Sequence, residues 1–318
     1  MKIAEILKNT EKTLFSFEIV PPLKGHNLDS LYEKLDLLAE FNPLNINITY
    51  HQDETVYTPL DNNLLQKKVV RKRPGTVALA AAIKNRYPNV NTVPHLICGG
   101  MSKQTIENIL IDLNFLGIEN ILALRGDAVS GQKYFIPEAD GHAHTDGLIN
   151  QIMDLNKGIY LDKDLKNTDC TNFSCGVAGY PEKHIESPNA EIDMEYLKKK
   201  IDAGAEFIVT QMFFDNQKFF AWEKKCREAG ISVPIIPAIK PLGKLRDLQV
   251  IPQVFNIDLP TPLVKEVLAA KDDKAIYQIG IEWCIAQSRE LIAHGVPVVH
   301  YFSVGRTENV REVAKAVF

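Results

Sequence analysis

At 318 residues, 45% hydrophobic and 24% charged, the chain has the size and balance of a globular protein with a large buried core. Its formal net charge of -4 comes from cations and anions spread along the whole length, which offers no basic tract to nucleic acid or to an anionic membrane. No stretch is apolar enough for a signal peptide or a membrane span, so a cytoplasmic protein is expected.

Residues 1–15 mix charges at helical spacing, and the first run rich in β-branched and aromatic residues, 14–21, reads as a strand. Helix 28–40 and strand 45–50 follow, then helix 76–86, strand 91–98, helix 103–116 and strand 120–126. Residues 127–141 read as a long loop, 145–156 as a helix, and 157–171, rich in Asp, Lys and Asn, as a solvated excursion. The alternation resumes with strand 173–180, helix 190–203, strand 206–214, helix 217–229 and strand 233–241. A longer helical region after residue 261, strand 297–304 and helix 307–318 complete it. Ser102 is placed to cap a helix, and Gly117, Gly204 and Gly230 to end helices. Eight strands alternating with helices predict an α/β fold, a (β/α)8 TIM barrel. With no linker and no low-complexity tract, a single domain over 1–318 is expected.

Chemistry in such a barrel sits at the C-terminal ends of its strands. The predicted strands deliver Glu18, Thr49, His95, Arg125 with Asp127, Tyr180 with Glu182 and His184, Gln211, Lys240, and His300 with Arg306 downstream. Glu18 carries the most weight. An acid flanked by Phe17, Ile19, Val20 and two prolines is costly to bury ionised, and burial raises a carboxyl pKa toward the range useful for general acid catalysis. Single polar residues in strands are more often hydrogen-bonded core members. The run 196–200 (YLKKK) reads as a solvated helix face, and Phe213, Phe214, Phe219 and Phe220 read as core. Five cysteines at irregular spacing read as reduced thiols, with no disulfide or zinc framework.

The blocks FSFEIVPP, PHLIC, ALRGD, GVAGYPEKH, DAGAEFIVTQMFFD, VPIIPAIKP and HYFSVGR resemble, in this order and over nearly the whole chain, those of the methylenetetrahydrofolate reductase family. The resemblance implies a (β/α)8 barrel that binds FAD, oxidises NADH or NADPH, and reduces 5,10-methylenetetrahydrofolate to 5-methyltetrahydrofolate, a supply of methyl groups for methionine synthesis. It implies Glu18 as the proton donor to folate N10 and Asp127 as the acid near the flavin N1 edge and the pterin. Gln211 and Arg306 match folate contacts, Arg306 at the tail. Thr49, His95, Arg125, Gly126, His144, Thr145, Tyr180, His184, Asp193 and Lys200 match flavin contacts, although HAHTDGL departs from the bacterial pattern around His144 and Thr145. Lys200 thereby becomes a phosphate partner instead of one charge in a solvated run. The regulatory domain of larger eukaryotic members has no counterpart, so S-adenosylmethionine feedback is not expected. Small-molecule substrates, no metal and a homo-oligomer complete the expectation.

No G-x-G-x-x-G follows a predicted strand, so no separate module is available for the nicotinamide cofactor. One mouth shared by both substrates implies a ping-pong cycle. The competing readings are another FAD-dependent barrel oxidoreductase, of the proline dehydrogenase kind, and a folate- or flavin-binding subunit without turnover.

Overall fold

The computed structural model describes residues 1–129, 132 and 134–318. Its strands are β1 (Leu14–Ile19), β2 (Asn45–Ile48), β3 (Glu54–Pro59), β4 (Leu65–Val70), β5 (Asn91–Ile97), β6 (Asn120–Leu124), β7 (Ser174–Gly179), β8 (Phe207–Thr210), β9 (Ile235–Ile236), β10 (Ala238–Ile239) and β11 (Val298–Phe302). The helices are α1 (Ile3–Asn9), α2 (Asp29–Ala39), α3 (Thr76–Arg86), α4 (Lys103–Phe115), α5 (Thr145–Leu155), α6 (Ala190–Asp202), α7 (Asn216–Glu228), α8 (Asp247–Phe255), α9 (Thr261–Ala269), α10 (Asp273–His294) and α11 (Thr307–Val317). Nine parallel strand segments run in the order β10-β11-β1-β2-β5-β6-β7-β8-β9. The two ends of this list are one stave interrupted at Pro237, which has no N–H to give a ladder. β9 pairs with β8, β10 pairs with β11, and the Pro237 carbonyl accepts the His300 N–H at 2.9 Å. The nine segments therefore make the eight staves of the expected (β/α)8 barrel.

Alternate residues of each stave face inward and outward. Outward, Phe15, Phe17, Ile46, Ile48, Ile121 and Val177 join Leu35, Leu110 and Ile149 of the helical ring in the main core. Inward, Val93, Leu122, Phe207, Val209, Ile236 and Val298 fill the barrel, and α1 lays Ile3, Ala4 and Leu7 on their lower end. Gly176 makes room for this filling, since a Cβ there would meet the Phe207 ring at 2.2 Å. With the lower layers apolar, polar residues in the same inward register must stack above them, toward the C-terminal mouth.

Local signals behave as expected where they are strong. Ser102 caps α4 by accepting the Thr105 N–H at 3.1 Å, and Gly117, Gly204 and Gly230 follow their helices at positive φ. Other expectations change. The strand predicted over 206–214 stops at Thr210, because Met212, Phe213 and Phe214 turn away to pack as core. The region after 261 is two helices, α9 and α10, and α8 before it was not anticipated, nor was the antiparallel hairpin of β3 and β4. The excursion over 157–171 carries no helix or strand, is exposed over 162–170, and is tied down where the Leu161 N–H donates to the buried Glu107 carboxylate at 2.8 Å. Of the predicted loop over 127–141, residues 130, 131 and 133 lie outside the described residues and the rest form no helix or strand. Among the described residues no helix is long and apolar enough to cross a membrane, no group of side chains could hold a metal, and the five cysteines are free.

Candidate active site

Glu18 faces inward on β1 with 7% of its surface exposed, beside Asn47 of β2 and Phe302 of β11. Burial pushes its carboxyl up to about 8, so it holds a proton at neutral pH. His95 of β5 brings Nε2 to 3.8 Å from Glu18 Oε2. That is too long for a hydrogen bond, and it is no ion pair, because burial pushes His95 down to about 3 and leaves it neutral. His300 of β11 is also pushed down to about 3 by burial, with Nδ1 2.8 Å from the Ser16 hydroxyl on β1. The Nε2 atoms of His95 and His300 are buried and have no hydrogen-bond partner among the described residues. Ser303 fixes the acid from behind, donating its hydroxyl to the Glu18 carbonyl at 2.7 Å. Thr49 Oγ1 lies 3.2 Å from the Ile19 carbonyl and 3.1 Å from His51 Nε2.

Across the mouth the rim is charged. Arg125, just past β6, pairs with Glu186 at 2.7 Å and lies over the Phe135 ring at 4.9 Å. Gly126 follows at φ 86, and exposed Asp127 accepts the Gln52 side-chain amide on its main-chain oxygen at 3.2 Å. Beyond β7, Tyr180 stands edge-on to His184, ring centres 4.7 Å apart, and burial together with Asp127 and Asp193 raises its phenol. His184 Nδ1 accepts the Glu186 N–H at 3.1 Å, which leaves the proton of the neutral ring on Nε2. Asp193 on α6 accepts the buried Ser187 hydroxyl at 2.6 Å. Lys200 leaves the solvated YLKKK run and donates to the Ala178 carbonyl at 2.6 Å, 5.7 Å from the Tyr180 ring centre. Burial lowers it to about 8, against the pull of Asp193 and Asp146. His144 precedes α5 without a side-chain cap and its carbonyl accepts the Cys98 thiol at 3.7 Å; Thr145 opens the helix. Two cations and an uncapped helix start suit an anionic group such as a phosphate.

A third group sits past β10 and β11. Lys240 lies 3.8 Å from Asp247, and the neighbouring Arg306 is among the charges that lower its pKa, after burial itself. Gln211, beyond β8, is half-buried and accepts the Met212 N–H at 2.9 Å, without contact to Glu18. Glu182 is a fold anchor, with its carboxylate on Lys218 and on the Asp258 N–H. Ser16, His51, Gln52, Phe135, Asp146 and Glu186 also interact with the site residues and are not among those singled out from the sequence. Only Ser16 had a local signal, two residues before Glu18 on the same inward face.

The sequence profile described as methylenetetrahydrofolate reductase matches residues 2–317. The chain belongs to the methylenetetrahydrofolate reductase family. It is 31% identical over 320 residues to methylenetetrahydrofolate reductase (NADH) 1 of Arabidopsis thaliana, covering 96% of this chain and 48% of that protein. It is 32% identical over 313 residues to methylenetetrahydrofolate reductase 2 of Saccharomyces cerevisiae, covering 96% and 47%. For 5,10-methylenetetrahydrofolate reductase of Salmonella typhimurium the identity is 28% over 295 residues, covering 92% and 86%. The chain thus spans about half the length of the eukaryotic relatives it matches. A Clostridium thermocellum protein described as binding two copies of 5-methyl-5,6,7,8-tetrahydrofolic acid shares the fold with a TM-score of 0.58 at 14% identity, over 98% of this chain and 97% of that one. An oxaloacetate acetylhydrolase also aligns, with a TM-score of 0.52 at 11% identity over 96% and 80%. Fold alone therefore does not choose the chemistry here.

Proposed function

We propose that this protein reduces 5,10-methylenetetrahydrofolate to 5-methyltetrahydrofolate with NADH or NADPH, using bound FAD, and so feeds methyl groups to methionine synthesis. The observation that carries the reading is Glu18, an inward-facing acid that keeps its proton at neutral pH at the barrel mouth of a chain in this family. The ligand named for the Clostridium thermocellum neighbour agrees with it. The rim fits FAD: Arg125, Lys200 and the uncapped start of α5 suit the pyrophosphate, His184 and Asp193 offer a donor and an acceptor to hydroxyls, and the unpartnered His95 Nε2 would be free to hydrogen-bond the ring system. Thr49, Gly126, His144, Thr145 and Tyr180 would complete that seat. When bound, the flavin supplies the site that accepts and returns a hydride.

The chain's own residues handle the proton. Glu18 donates it to folate N10 as the five-membered ring opens, and neither His95 nor His300 is basic enough to take it first. Asp127 faces the pterin from the rim, Gln211 hydrogen-bonds the folate, and Arg306 beside Lys240 meets the tail carboxylate. Glu18 thus serves only the folate half of the cycle. The test is Glu18→Gln in stopped flow. The expected result is a flavin that is still bleached by NAD(P)H but no longer reoxidised by the folate; reoxidation at the wild-type rate would remove Glu18 from the role. A protein that stays colourless with added FAD overturns the cofactor.

A further inference from the structure

The hairpin of β3 and β4 lies outside the barrel's logic. Its strand residues are exposed apart from the half-buried Thr55 and Val70, and Tyr57, Leu65 and Val69 are 59%, 63% and 67% exposed. A two-stranded ribbon that buries neither face is marginal in water. Ion pairs of Asp53 with Arg71 and Glu54 with Lys72 clip its base, and just before that base His51 and Gln52 reach Thr49 and Asp127 at the mouth.

The two edges of the ribbon are not equivalent. At its tip the Leu60 N–H donates to the Leu64 carbonyl at 2.8 Å, which fixes the parity of the ladder. Residues 54, 56 and 58 aim their backbone groups at β4, while 55, 57 and 59 aim theirs outward. Pro59, which has no N–H, falls on the outward set, as the ladder requires. The Thr55 and Tyr57 N–H groups have no partner among the described residues. No charged side chain lies between Thr55 and Pro59, whereas β4 presents Lys67 and Lys68, residues that blunt a strand edge.

We propose that the β3 edge pairs antiparallel with the β3 edge of a second copy of this chain, about a two-fold axis at Val56, giving a sheet in the order β4-β3-β3-β4. In this register Val56 faces Val56, and each Thr55 faces Tyr57 as a hydrogen-bonded pair, so every outward N–H of the edge finds a carbonyl and Pro59 lies beyond the ladder. Centring the axis on Tyr57 would set Thr55 against Pro59 and forfeit a donor. The face carrying Thr55, Tyr57, Pro59, Leu65 and Val69, with Lys67 as its one charged residue, then runs across both copies, giving the breadth that a lone ribbon lacks. Such a contact is small, so the dimer dissociates on dilution.

Sedimentation velocity of the whole chain over a concentration series tests this. Wild type is expected to shift reversibly from monomer to dimer. Thr55→Pro removes an outward N–H without touching the β4 ladder, Val56→Lys sets like charges across the axis, and both are expected to be monomeric where wild type is dimeric. In a Cys170→Ser background, Val56→Cys is expected to form a covalent dimer on mild oxidation, because facing residues at a non-hydrogen-bonded position come within disulfide reach, while Lys67→Cys is not. A wild type that stays monomeric throughout, a dimer that survives both edge substitutions, or cross-linking through Lys67→Cys alone overturns the proposal.

Discussion

The two sides of the barrel mouth manage charge in opposite ways. On the β1, β5 and β11 side, Glu18, His95 and His300 are buried without counter-ions, and each is driven to its neutral form, the acid upward to about 8 and the histidines downward to about 3. On the β6 and β7 side, Arg125 has Glu186 and Lys200 has Asp193 and Asp146, so charges survive partial burial. Desolvation wins where no partner stands opposite and loses ground where one does. One side is suited to storing a proton, the other to holding an anion.

The sharpest way to break this division is Glu18→Gln, which is expected to slow the folate half-reaction by roughly a hundred- to ten-thousand-fold, the usual worth of a general acid, with flavin reduction nearly unchanged. Next is pH. The folate half-reaction should be flat below about 8 and fall about tenfold per unit above it, as Glu18 loses its proton, while flavin reduction follows no such curve. Equal pH dependence of both halves in stopped flow would erase the contrast. On the charged side, Lys200→Met is expected to weaken FAD binding by roughly tenfold, on the order of 1.5 kcal/mol for a hydrogen bond to a charged group, and to leave the Glu18 pH profile in place. Fluorescence titration reads the first and stopped flow the second.

The smallest effect is on stability. His95 and His300 ionise near 6.5 when unfolded and near 3 when folded, so their contribution is present above 6.5 and is lost as pH falls toward 3. Glu18 runs the other way: its contribution is full below 4.5 and is lost as pH rises through about 8. Removing one buried histidine by His300→Asn should flatten the acid limb of a Tm-against-pH curve, a change of about a few degrees. An unchanged acid limb would mean that His300 is not held neutral.

How much of this was legible in the sequence depended on periodicity. The eight staves were, because a parallel barrel makes each strand a short apolar run between helices. Glu18 was, because its apolar neighbours made it anomalous. The hairpin was not: exposed on both faces, it has no apolar alternation to detect. α8 carries Pro252 inside it, which argues against a helix locally. Spacing could not say which lysine of YLKKK turns inward, and only the family resemblance singled out Lys200. Glu186, Asp146, Gln52 and Phe135 sit in loops or at a helix start, and their meeting with Arg125, Lys200 and Asp127 is a product of tertiary structure.

The seam between β1 and β11 has a consequence for how the site comes into being. Ser16 and His300 are 284 positions apart in sequence, and Glu18 acquires its neighbour Phe302 across the same gap. Contacts of such separation carry the largest loop-closure cost in the chain and are expected to form after the local βα units. Until then Glu18 is an ordinary solvated carboxylate, ionised at neutral pH; once β11 docks it is an acid with a pKa of about 8. Closing the barrel therefore draws a proton from the solvent, and a pH indicator present during refolding would register the moment the site is made.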